Sequence, residues 1–160
     1  MNRISHQVDN VLDFIRDVPM ERKETSVKEC ISNSIKEVKI PKNIIANVTG
    51  QDHCILADSY QLEVVFKNLI INAIQAINKK EGEILITVSD DKDFLGIVFE
   101  DSADFLEDSQ VEQIFEFLYT TKQEGTGMGL ISCKQIIERH GGEIHAKTHP
   151  TRFIIKLPKK

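Results

Sequence analysis

The sequence predicts a two-layer α/β sandwich with a mixed, largely antiparallel sheet, helices on one face, and a short helix ahead of it. Three observations carry this. Short β-rich runs recur at 43–49, 53–57, 83–89, 95–100, 143–148 and 153–157, most of them beside turn residues. Helical periodicity with recognisable caps separates them. The chain has 160 residues, 41% of them hydrophobic and 28% charged, which suffices for one core and argues against disorder.

The elements follow in order. In residues 2–18, Ile4, Val8, Val11, Ile15 and Val18 are spaced 4, 3, 4, 3, the seam of a coiled coil or small bundle, and Pro19 ends the helix. An ordinary domain helix and an oligomerisation stub both fit that pattern. Ser26-Val27-Lys28-Glu29 forms a capping box opening a helix to about Val38, and Pro41 stops it. The runs 43–49 and 53–57 flank a Gly50-Gln51-Asp52 turn. Asp58 caps the longest helix, 59–79, with Gln61 in the reciprocal position. A hairpin joins 83–89 to 95–100 across Asp90–Asp93, and a short helix is expected near 109–117. The last helix, 130–140, closes at Gly141-Gly142, and a hairpin around His149-Pro150-Thr151 ends the chain.

Composition excludes several functions. A net charge of −5 disfavours broad attraction to nucleic acid or anionic lipid. No run of about 18 apolar residues is present, and the first residues lack a secretory pattern. Cys30, Cys54 and Cys133 are odd in number and widely spaced, which points to reduced thiols in the cytoplasm. His140, His145 and His149 fall on a helix end, a strand and a turn, a poor arrangement for a metal.

Chemistry enters at three places. The long helix is apolar almost all round, with Leu62, Val65, Phe66, Leu69, Ala73, Ala76 and Ile77 as its core face. One stripe breaks it: Asn68, Asn72, Gln75 and Lys79. Buried amides need partners, and an amide oxygen is a hard donor suited to Mg²⁺; they equally serve as loop caps or lie under solvent. Gly125-Thr126-Gly127-Met128-Gly129 precedes a helix, so a permissive backbone meets free N–H groups that suit phosphate. Lys122 upstream is either a point charge for phosphate or a solvated lysine. Asp101 leaves an apolar strand and can accept from an exocyclic amine or cap a turn. The roughly twenty residues from Phe105 to Glu124 are long enough to suggest a lid over a ligand.

In this order and spacing the three elements resemble the ATP-binding domain of sensor histidine kinases, within the GHKL (Bergerat-fold) ATPases. Asn68-Leu-Ile-Ile-Asn72-Ala-Ile-Gln75-Ala resembles the N box, Phe115-Glu-Phe-Leu-Tyr-Thr-Thr121-Lys122 the F box, and Gly125–Gly129 with Leu130 the G2 box. Ile137 to Gly142 reads like the end of the family's final helix. The resemblance covers about 58–160. It implies that Asn72 coordinates Mg²⁺ on the phosphates, with Asn68 and Gln75 on the same wall, and that Asp101 bonds the adenine amino group. It also implies that Thr121, Lys122, Gly125, Thr126, Gly127, Met128, Gly129 and Leu130 form the lid and phosphate cradle.

One box departs from the family pattern. Asp-x-Gly-x-Gly is expected, and the chain reads Asp101-Ser102-Ala103-Asp104-Phe105. Ala103 adds a methyl where backbone passes close to adenine, a small insult at negative φ and a worse one at positive φ. Phe105 stands at the hinge, so nucleotide affinity is expected to be weakened, not abolished.

The resemblance implies transfer of the ATP γ-phosphoryl group to a histidine, in two-component signalling with a response-regulator receiver. Residues 1–20 then read as the end of a dimerisation-hairpin helix, giving a possible homodimer, and 21–160 as the catalytic domain. His6 loosely echoes an acceptor motif, but it precedes Asn72 by only 66 positions, too few for a return helix. It also lacks the acidic neighbour that would activate it. The acceptor is expected outside this chain, which then carries no catalytic histidine. A degenerate nucleotide-sensing or protein-binding module is the alternative that Ala103 and Phe105 suggest. A hydrolytic GHKL ATPase is disfavoured, since Asn68 stands where that group places a glutamate base.

Overall fold

A computed structural model describes residues 18–103, 106–116 and 129–159. The expected helix over 2–18 therefore lies outside the described residues, save Val18. Seven strands and three α-helices are formed among the described residues: β1 (Lys23–Ser26), α1 (Val27–Val38), β2 (Ile44–Gly50), β3 (Cys54–Ala57), α2 (Ser59–Ile77), β4 (Gly82–Asp90), β5 (Phe94–Asp101), α3 (Gly129–Arg139), β6 (Glu143–Lys147) and β7 (Arg152–Pro158). The helix expected near 109–117 is instead two single 3-10 turns, Asp108–Gln110 and Gln113–Phe115. No described helix is long and apolar enough to cross a membrane.

Five strands make the main sheet in the order β2-β4-β5-β7-β6, and β1 with β3 makes a separate antiparallel ribbon. The β2–β4 pair is parallel, with Val48 opposite Ile86; the other neighbours are antiparallel. Alternation sets the two faces. Ile84, Ile86 and Val88 of β4, Leu95, Ile97 and Phe99 of β5, and Phe153, Ile155 and Leu157 of β7 are buried, whereas Ile45 and Leu85 are exposed. The buried face meets α2, whose Leu62, Val65, Phe66, Leu69, Ala73 and Ile77 are all buried; Ala76 is only half-buried. Phe66 stacks at a tilt on Phe99, ring centroids 5.6 Å apart. Both α1 and α3 pack against α2, so the helices form one layer.

The two short strands about Gly50–Asp52 exist, but they do not pair with each other: β2 joins the main sheet and β3 joins β1. Gly50 has φ +94, and a Cβ there would lie 1.8 Å from the Val88 carbonyl oxygen, so only glycine lets the chain turn away so close to β4. Asp52 then fixes the start of α1. Its Oδ2 accepts from Ser26 Oγ at 2.6 Å and its Oδ1 from Lys28 N at 3.1 Å. The Ser26 hydroxyl bond is the main reason that the Asp52 carboxyl is held below its ordinary range. Ser26 in turn caps the helix by accepting from Glu29 N.

The three cysteines are free. Burial pushes the Cys30 thiol up to about 12 and raises Cys133 further still, so both behave as small apolar groups.

Candidate functional site

The amide stripe of α2 runs outward from the core. Asn68 is 6% exposed, Asn72 is half-buried and Gln75 is exposed. Asn68 Nδ2 donates to the Val64 carbonyl at 2.9 Å, one turn back, which holds the amide in one orientation. Lys79, the fourth member, lies beyond the helix and is exposed.

Asp101 ends β5 and is 4% exposed. Its Oδ1 accepts from Ala103 N at 2.9 Å, so the carboxylate does cap the turn that follows. Its backbone N–H donates to the Thr151 carbonyl at 3.4 Å. Among the described residues other than glycine, positive φ occurs at Lys39, Asn78 and His149. Ala103 is not one of them, so its methyl brings no backbone strain.

Pattern reading did not find Thr151, a fully buried residue whose Oγ1 accepts from Leu106 N at 3.4 Å. It holds the strand end and the residue beyond it on one turn. A threonine in a polar turn carries no signal of that role.

Other contacts relate the elements that carry these residues. A Cβ added at Gly82 would touch Ile77 Cγ2 at 2.6 Å and Ser102 Oγ at 2.8 Å, so the last turn of α2 lies beside the residue following Asp101. Helices α2 and α3 are antiparallel: Asp58 meets His140, and Cys133 Sγ lies 3.8 Å from the Val65 carbonyl. One further turn along this register brings Gly129 level with Leu69, and hence with Asn68 and Asn72. The first turn of α3, where a helix carries N–H groups with no partner inside the helix, thus lies level with the amide stripe. Thr121, Lys122, Gly125, Thr126, Gly127 and Met128 lie outside the described residues, as do Phe105 and His6. Gly129 and Leu130 open α3 and are half-buried.

Residues 57–160 match the family model described as "Histidine kinase-, DNA gyrase B-, and HSP90-like ATPase". The chain belongs to this family. Within it the chain is a histidine kinase catalytic domain, similar over 98% of its length to the sensor histidine kinase ZraS of Escherichia coli O157:H7, at 32% identity. Sporulation kinase A of Bacillus subtilis (strain 168) is 37% identical over 106 residues. This kinase domain covers 36% of the ZraS sequence and 17% of the sporulation kinase. The nucleotide-free catalytic domain of histidine kinase ThkA superposes with a TM-score of 0.75 at 31% identity, covering 88% of this chain and 97% of that one. A structure of ThkA in complex with the response regulator protein TrrA matches with a TM-score of 0.78 at 26% identity, covering 99% of this chain and 48% of that one.

At the far end of this helix pair the kinase domain differs from expectation. Asp58 Oδ1 caps α2 by accepting from Gln61 N at 3.1 Å, but Gln61 does not return the bond; its buried Oε1 has no hydrogen-bond partner among the described residues. The Asp58 N–H donates instead to His140 Nε2 at 3.1 Å. That fixes the tautomer, so His140 Nδ1 donates to the Ile136 carbonyl at 2.7 Å. Burial is the chief reason that the imidazole pKa is lowered from its ordinary 6.5; the Ile136 carbonyl opposes it, and of the nearby charges Arg22 and Arg139 lower it further while Asp58 raises it.

The unfolded chain therefore takes up this proton first. The stability linked to His140 is complete above its ordinary value and drains away as pH falls below it. Urea midpoints measured between about pH 7.5 and 5 are expected to decline on acidification, and His140→Gln to flatten that decline. An equal slope in both proteins would contradict the assignment.

Proposed function

We propose that the domain binds Mg-ATP between the amide stripe of α2, the end of β5 and the first turn of α3. It then donates the γ-phosphoryl group to a histidine on a dimerisation domain outside this chain. The observation that carries this reading is the buried Asp101 carboxylate at the strand end, its next residue beside the last turn of α2. A carboxylate held there selects an exocyclic amine over a carbonyl, as adenine recognition requires.

The donor set fits magnesium in one particular way. Among the described residues no group of three or more His, Cys, Asp or Glu side chains could hold a metal. The half-buried Asn72 supplies one hard amide oxygen, and Mg²⁺ ordinarily completes its shell with phosphate and water. When bound, the ion neutralises phosphate charge and ATP supplies the group transferred. Asn68 and Gln75 line the same wall, with Asn68 held in place by its bond to Val64. By resemblance Thr121, Lys122, Gly125, Thr126, Gly127, Met128, Gly129 and Leu130 cradle the phosphates. Such sites work mainly by positioning and electrostatics, and an imidazole supplied in line completes the reaction.

The match to ZraS, and the ThkA–TrrA complex, support a place in two-component signalling with a receiver domain as the next partner, and the free cysteines fit the cytoplasm. Residues 1–20 fit the end of the dimerisation helix, through which two copies would pair. Ala103, with its ordinary backbone, supports a working adenine pocket over a degenerate one. Titration of a fluorescent ATP analogue in the presence of Mg²⁺ tests the site. Saturable binding is expected for the native chain and a loss of roughly tenfold or more for Asp101→Ala. If the two curves coincide, the adenine assignment is wrong.

A further inference from the structure

Five residues, Val18–Arg22, lead into β1; three contacts tie them down, and a fourth joins two of their anchors to each other. Arg139 Nη2 donates to the Val18 carbonyl at 2.6 Å, and Arg22 Nη2 donates to the Arg139 carbonyl at 2.6 Å. Glu21 N donates to Asp58 Oδ2 at 2.9 Å, and Asp58 N donates to His140 Nε2 at 3.1 Å. The chemistry suits each place. The Arg139 carbonyl ends α3, where orphan acceptors and the dipole favour a guanidinium. The Asp58 carboxylate caps α2, and its second oxygen is turned to the entering chain.

α2 starts here and α3 ends here, and each carries residues of the proposed nucleotide site further along its length. Asn68 lies ten residues along α2 from Asp58, and Gly129 ten residues along α3 from Arg139, each about 15 Å away. The helices are packed antiparallel, so a shift at the amide stripe is felt at Asp58 and Arg139.

We propose that Arg22, Asp58, Arg139 and His140 form a clasp that couples nucleotide occupancy to the segment joining this domain to whatever precedes it. The proposal rests on the nucleotide reading above. Arg139 and His140 are positioning residues: they act through the helices and the entering chain. Coupling of this kind is reciprocal, so the factor by which nucleotide tightens or loosens the clasp equals the factor by which the clasp alters nucleotide affinity.

Hydrogen exchange at the Glu21 and Asp58 amides, measured on the whole chain with and without a non-hydrolysable ATP analogue and Mg²⁺, tests this. In the native protein both rates are expected to change on binding by roughly fivefold or more. In the Arg22→Ala, Arg139→Ala double variant the change at Glu21 should vanish, and the analogue's affinity should shift by the same factor. His140→Gln keeps an acceptor at the ε position, so it should retain the Asp58 response that His140→Ala loses. Arg22 is exposed, so Arg22→Ala alone keeps the test readable if the His140 variants fail to fold. Analogue that binds while both amides exchange unchanged overturns the clasp alone. A native chain that does not bind the analogue overturns the nucleotide reading and the coupling with it.

Discussion

Phe66→Ala is expected to lower the unfolding free energy of the domain by about 3–5 kcal/mol, the range for emptying a buried aromatic site. Phe66 is fully buried, and its ring lies against Phe99 at a 30° tilt. The surroundings cannot collapse into the space, because α2 is pinned there between the main sheet and its neighbours α1 and α3. Small domains hold only about 5–15 kcal/mol in all, so a large share of the folding free energy is at stake. Urea denaturation measures it. A loss below about 1 kcal/mol would show that the α2–β5 contact is not the centre of the core. Phe66→Leu should recover much of the loss by keeping most of the apolar volume.

The second large effect concerns chemistry. If Asn72 supplies the metal oxygen, Asn72→Ala should slow phosphoryl transfer to an added histidine-bearing dimerisation domain by ~100-fold, the usual scale for losing one charge-stabilising group. The fold should scarcely notice, since Asn72 is half-buried on the outer side of α2. Raising the Mg²⁺ concentration should recover part of the rate, which a merely structural defect would not allow. Gln75→Ala is the internal comparison: an exposed amide further along the stripe should matter much less. Rates for Asn72→Ala within a few-fold of the native chain would remove Asn72 from the metal's shell.

Legibility followed the range of the interactions. Ser26 and Asp58 were readable as caps because a helix start is a local event, decided within four residues. The β4–β5 hairpin was readable for the same reason, its strands being chain neighbours. β1 was not: Lys-Glu-Thr-Ser shows no apolar alternation, and the strand exists because its backbone pairs with β3. The parallel partner of β2 was hidden because tertiary packing, across the whole of α2, chooses it. The reciprocal half of the Asp58 box failed on a contact 82 residues away, where His140 takes the N–H that Gln61 was expected to take.

The site shows the same division. Asn68 and Asn72 stood out as polar residues on an apolar helix, and Asp101 as a carboxylate closing an apolar strand. Their burial order could not be read, since it depends on which side of α2 meets the sheet. Thr151 was invisible because only the folded turn gives it partners. Ala103 looked like a defect by motif, and its backbone conformation removes the worse, strained half of that concern.

The antiparallel β5–β7 pair has a consequence for how freely the segment between Asp101 and Gly129 can vary in length. Between Asp101 and Arg152 the chain leaves the main sheet, builds the 3-10 turns, α3 and β6, and returns to lie against the same strand. Closing such an excursion costs chain entropy that grows only with the logarithm of its length. Doubling it adds about 0.6 kcal/mol. The sheet is therefore nearly indifferent to how many residues lie between Asp101 and Gly129, provided the ends are held. Length is thus the tolerant variable there, whereas Leu106 and Ile114, both buried in the core, are not free to change.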